Sequence, residues 1–154
     1  MKQPIKVVFL LKIFKEELEM KEIVNGVFAA FGGAIGAVLG GFDGFLYALI
    51  LFVVVDYITG VFVAIDKKTL SSATGFRGIA KKVIIFCLVA VANSIDLYVI
   101  GTGCVIRTAV IFFYLSNEGI SILENTAALG LPVPKKLKKV LEQIKEEADD
   151  ESAE

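Results

Sequence analysis

The sequence predicts an all-α integral membrane protein: four transmembrane helices with both ends in the cytoplasm, then a C-terminal amphipathic helix. Three observations predict it. Of 154 residues, 56% are hydrophobic, and the mean hydropathy of +0.74 accompanies a charged fraction below that of ordinary soluble domains. The charges collect at the ends: residues 1–22 hold five lysines and four glutamates, and residues 135–154 hold five lysines and seven acids. Those 42 residues carry 21 of the 33 charges, and six of the other 12 fall within 66–82. Polar ends and one polar loop around long apolar runs describe a chain threaded through a bilayer.

The elements follow in order. Residues 1–22 form a charged segment whose apolar cluster, Val7 to Leu11 with Ile13, Phe14 and Leu18, suits an amphipathic helix on the cytoplasmic surface. Met20 stands directly before Lys21, so translation from it would give a shorter product; a chance internal methionine is the competing reading. The transmembrane domain occupies 23–126. Its first apolar tract, Asn25 to Ile65, is about twice the roughly 20 residues of one span. Gly40-Gly41-Phe42-Asp43-Gly44 offers a turn, which divides the tract into helices near 23–41 and 44–65. The third helix covers Val83 to Ile100 with Asp96 as its one charge, and Gly101-Thr102-Gly103 turns the chain. The fourth runs from Cys104 to about Leu123 and contains Arg107 and Glu118.

Gly130-Leu131-Pro132-Val133-Pro134 ends that helix, and residues 127–154 form a Pro-broken cytoplasmic unit. Residues 135–148 resume a helical pattern, with Leu137, Val140, Leu141, Ile144 and Ala148 on one side. The basic first turns suit anionic lipid, and Glu146 to Glu154 read as a solvated acidic tail.

Orientation follows from the basic residues. The 66–82 loop carries Lys67, Lys68, Arg77, Lys81 and Lys82, whereas the turns at 40–44 and 101–103 carry none. Lysines also precede the first helix and follow the fourth, so four spans place every basic cluster inside. A three-span alternative, with 23–41 outside the membrane or re-entrant, puts the N-terminal lysines on the wrong side. A signal peptide is rejected, because the apolar stretch begins too far in and continues into a second span.

Composition excludes several classes. With no histidine there is no imidazole base and no His-metal site; no enzymatic activity, metal or cofactor is expected. Cys87 and Cys104 both sit in apolar segments and read as small hydrophobes. A net charge of −1 gives no reason to expect nucleic acid.

The candidate functional residues are of two kinds. Gly32, Gly36 and Gly40 repeat every four residues, and Ala29, Gly33, Ala37 and Gly41 form an adjacent row. Small residues at this spacing let helix backbones approach closely in lipid, within one chain or between protomers. The others are ionisable or polar groups inside spans, which are costly and face protein or water. The short 101–103 turn makes the third and fourth helices antiparallel neighbours, which predicts an Asp96–Arg107 ion pair with Asn93 one turn below. Asp56 and Glu118 lie at similar depth. They repel unless one is protonated, Lys81 or Lys82 reaches them, or they line a water-filled lumen. Asn117, Ser121 and the adjacent pair Glu124 and Asn125 fall on successive turns beside Glu118, a polar stripe that fits a pore wall or an interhelical seam.

Residues from Met20 to about Gln143 resemble the phage-lysis and toxin-secretion holins of Gram-positive bacteria and their phages. The resemblance rests on Gly41-Phe42-Asp43-Gly44; Asp56-Tyr57-Ile58-Thr59-Gly60; Leu70-Ser71-Ser72 with Gly75, Gly78 and Lys81-Lys82; Arg107; Phe113 through Asn125; and the Gly130–Pro134 exit. It implies a small protein of the bacterial cytoplasmic membrane without enzymatic activity. Such a protein forms homo-oligomers and opens lesions for a murein hydrolase (endolysin) or a toxin, without needing to bind that cargo. A small channel or transporter subunit, with Asp56 and Glu118 as a cation or proton relay, is the alternative from another class. A membrane anchor acting through 135–148 is a third.

Overall fold

The computed structural model describes the backbone of residues 4–101 and 103–151, and the side chains of 11–101 and 103–144. Met1, Thr102, the side chains of Val7 to Leu10, Ala148 and the acidic tail from Glu146 therefore lie outside what is described. Among these residues five helices follow one another: α1 Pro4–Val38, α2 Gly44–Asp66, α3 Ser72–Ile95 with a π-helical extension Asp96–Ile100, α4 Val105–Ala128 and α5 Lys135–Glu151. There is no strand among the described residues. Among the described residues, four helices are long and apolar enough to cross a membrane, over Leu11–Val38, Gly44–Asp66, Ser72–Ile100 and Val105–Ala128. The chain divides into two units, residues 1–37 and 38–154.

In the first unit, α1 is one continuous helix of 35 residues. No break in the helix marks the boundary expected between residues 22 and 23, because no proline or paired glycine interrupts the register there. Lys15–Glu19 and Glu17–Lys21 ion pairs at i, i+4 bridge the region instead.

The second unit begins with the turn that follows α1. Gly40 and Gly41 take φ of +83° and +95°, a region open to glycine at no steric cost, so the helix ends at Val38. Asp43 then caps α2, its carboxylate accepting from the Leu46 N–H at 2.8 Å. Ser71 caps α3 in the same way, accepting from Thr74 N–H at 3.1 Å. That cap starts α3 eleven residues before the apolar run at Val83, so Arg77, Lys81 and Lys82 stand on a helix rather than in the expected basic loop. The connection itself shrinks to Lys67–Ser71, where Lys67 closes α2 and Lys68 adopts φ +55°.

Helices α2, α3 and α4 enclose the core, in which Leu46, Leu49 and Val53 meet Ile85, Val89 and Ile111. Lipid offers as apolar a surface as leucine does, so close packing and buried polar contacts must hold these helices together. Gly130, at φ +81°, ends α4, and the Gly130 and Leu131 N–H groups return to the Ala127 and Thr126 carbonyls. Pro132 and Pro134 lie in the short link before α5, which places Leu141 against Gly119 of α4, a position that Phe52 of α2 also approaches.

Candidate functional site

The first constellation is built around Arg107, which is 2% exposed although it carries a full charge. Its Nε donates to the Leu39 carbonyl at 2.6 Å, Nη2 to the Gly41 carbonyl at 3.1 Å, and Nη1 to Asp43 Oδ2 at 2.6 Å. The guanidinium fork thus binds three acceptors of one turn, which a lysine could not match. The close approach needs Gly40: a Cβ there would lie 2.7 Å from Arg107 Nε and collide with Asn93 Oδ1. Asn93 in turn donates to the Val38 carbonyl at 3.0 Å. The Arg107 guanidinium holds the Asp43 carboxyl below its ordinary value, helped by the Leu46 N–H and opposed by partial burial.

The expected Asp96–Arg107 ion pair is therefore corrected. Asp96 does meet Arg107, but through the main chain: its Oδ2 accepts the Arg107 N–H at 2.7 Å and its Oδ1 the Ile106 N–H at 3.1 Å. Cys104, at the cap position of α4, makes no side-chain cap. Asp96 supplies that cap from the π-turn, where a carboxylate also complements the helix dipole. The side chain of Arg107 is left to Asp43. Gly40 and Gly41 are likewise removed from the proposed glycine seam, since both lie beyond α1. Ala29, Gly32, Gly33, Gly36 and Ala37 remain on that helix.

The second constellation lies about midway along the spans. Lys82 Nζ donates to Asp56 Oδ2 at 2.6 Å and also pairs with Glu118. Asn125 Nδ2 donates to Asp56 Oδ1 and to Thr59 Oγ1, each at 3.1 Å. One ammonium thus holds two carboxylates, from α2 and α4, that would otherwise repel. Asp56 and Glu118 are buried and Lys82 nearly so. Lys81, one residue earlier, is exposed. A cleft of about 490 Å³ opens beside the cluster, bordered by Asp56, Lys81, Lys82, Asn117, Glu118 and Ser121. Of the expected polar stripe, Asn117, Glu118 and Ser121 line this cleft and Asn125 holds Asp56, whereas Glu124 is exposed. Lys67, Lys68 and Arg77 are exposed and take no part.

Sequence reasoning missed Asp43 as the partner of Arg107, Thr59 as a member of the cluster, and the contact of Leu141 with Gly119. The first had a signal: Asp43 sits in the turn at the same end of the spans as Arg107. The other two had none, since both depend on which face of one helix meets the next.

Comparison with known proteins is consistent over most of the chain. Residues 33–146 match the bacteriophage holin family. An uncharacterized protein of Listeria monocytogenes is 45% identical over 122 residues, covering 79% of this chain and 86% of that protein. A protein described as a probable holin of Bacillus phage phi105 is 36% identical over 115 residues, 71% of this chain and 84% of its own length. An uncharacterized 14.9 kDa protein of Clostridium perfringens is 40% identical over 128 residues, 81% of this chain and 97% of that one. No solved structure matches.

Proposed function

The chain belongs to the bacteriophage holin family, multi-pass proteins of the cytoplasmic membrane that form pores and are not enzymes, and from that premise we propose how it acts. It accumulates in the bacterial membrane with both ends inside, assembles with copies of itself, and opens lesions through which an endolysin or a toxin leaves the cell. The observation that carries this reading is the Lys82–Asp56–Glu118 cluster beside its polar cleft. A buried group of one cation and two anions has unmatched charge, and at mid-span it needs either protein or water beside it. Assembly around a water-filled lumen supplies both. The glycine row of α1 offers the complementary apolar contact: a Cβ at Gly32 or Gly33 meets no atom within 4 Å, so those positions are open to a neighbouring backbone.

The test is inducible expression in a bacterium that also holds a cytoplasmic murein hydrolase. Abrupt, delayed lysis with release of the hydrolase is expected. Depolarisation without release would identify a channel using Asp56 and Glu118 as a relay, and neither effect would identify an anchor.

A further inference from the structure

We infer that α5 forms part of the water-exposed wall of the open lesion, packed against α4, rather than standing apart in the cytoplasm. This rests on the lesion-forming reading above and adds where its lining comes from.

The argument begins with depth. Gly119 lies nine residues before the end of α4, so about 14 Å along the span from its C-terminal end. Leu141 is seated at that level: it is 5% exposed, and a Cβ on Gly119 would lie 2.9 Å from its methyl carbons and 3.0 Å from Phe52 Cε1. The absent side chain of Gly119 thus makes the notch that admits α5. Gly119 also adjoins Glu118 in sequence, so α5 crosses close to the level of the ionic cluster.

The exposed surface of α5 around this depth is mainly charged, although Leu137 and Val140 are also partly exposed on it. Lys138 and Glu142 stand within one turn of Leu141, pair with each other at 3.7 Å, and are 59% and 49% exposed. Lys135, Lys136, Lys139 and Gln143 are exposed as well. Hydrocarbon cannot solvate such a surface so far inside a span, whereas water can. The seated position of α5 and a lipid-facing exterior are therefore incompatible. A leucine fixed in a notch of α4 and a mainly charged surface turned outward are what the wall of an aqueous passage requires.

The test uses the full chain in phosphatidylethanolamine–phosphatidylglycerol vesicles loaded with calcein, with Cys87→Ser and Cys104→Ser as background. The pair Gly119→Cys with Leu141→Cys is oxidised to lock α5 in place, the lost leucine leaving room for the new side chains. Efficient cross-linking is expected, and the locked protein should release calcein within about twofold of the reduced one. Release that appears only after reduction would overturn the inference, because α5 would then have to leave. If no vesicle leaks in either state, the lesion reading itself fails, and absence of the cross-link would independently overturn the seating of α5. Glu142→Cys, which disturbs no packing, gives a second measure. It should react with a charged, membrane-impermeant thiol reagent during release and cut calcein flux at least twofold, while Leu51→Cys should not. Equal, negligible reaction at both positions would overturn the inference.

Discussion

Arg107 Nη1 and Asp43 Oδ2 meet at 2.6 Å across 64 positions of sequence, and that bond ties α4 to the turn from which α2 begins. Asp43 caps α2 with one oxygen and accepts Arg107 with the other. The guanidinium also binds the carbonyls of Leu39 and Gly41, whose helical partners the turn has removed. A single side chain therefore satisfies backbone groups that would otherwise be stranded at the mouth of the spans.

Removing that side chain should cost more than removing its counter-ion. Arg107→Ala leaves two carbonyls and a carboxylate without their donor, whereas Asp43→Asn keeps most of the geometry. We expect Arg107→Ala to lose about 3–5 kcal/mol and Asp43→Asn about 1–2 kcal/mol, with Arg107→Lys between them. Thermal unfolding in detergent, followed by circular dichroism, gives the order. Equal losses for all three would show that the fork geometry is immaterial.

The Asp43 carboxyl also gives the latch a pH dependence. Its value is lowered by Arg107 in the folded chain, so its stabilisation is fully present above the unfolded carboxylate value of about 3.9. The contribution is lost as pH falls below that point and through the lower folded value. Wild-type melting temperature should therefore decline more steeply below about pH 4 than that of Asp43→Asn. Parallel curves for the two proteins would remove Asp43 from the account.

The sequence displayed these parts unequally. The spans were legible because hydropathy and turn glycines report on length and breaks, and Asp56 and Glu118 stood out because carboxylates are costly in lipid. The start of α3 was not, because a polar helical turn resembles a loop when only hydropathy is followed; Ser71 as a cap was the missed signal. The partner of Arg107 was misassigned because antiparallel adjacency fixes depth but not which face is turned inward. The side chain of Asp96, already committed to two backbone N–H groups, was unavailable for the guanidinium.

Glycines of equal appearance in the sequence should respond differently to substitution. Gly40→Ala forces a side chain into φ +83° and against Arg107 and Asn93, so a loss of at least about 1–3 kcal/mol is expected. Gly33→Ala adds a methyl in mid-helix where no atom lies within 4 Å and should gain about 0.5–1 kcal/mol in the isolated protomer. Gly33→Leu, at an exposed position, should leave insertion intact and abolish lysis, as association through the α1 seam requires. Full lysis by Gly33→Leu at normal expression would remove α1 from assembly.

The charge balance around Lys82 yields the sharpest prediction. Lys82→Met leaves Asp56 and Glu118 facing each other with no cation between them. The cost should be about 3–5 kcal/mol, typical of stripping one partner from a buried ionic group, and it should appear as lower membrane accumulation. Neutralising both acids in that background, with Asp56→Asn and Glu118→Gln, should recover most of the loss, because an uncharged cluster no longer contains repelling carboxylates. Asp56→Asn and Glu118→Gln alone, in contrast, retain Lys82 and one acid, which are matched in charge; they should insert normally and shift the time of lysis. Immunoblots of membrane fractions and culture turbidity after induction measure the two effects separately. If the triple variant accumulated no better than Lys82→Met, the loss would lie in the packing of the lysine stem rather than in its charge. If both single acid variants lysed on the wild-type schedule, the cluster would hold the helices together without setting when they open.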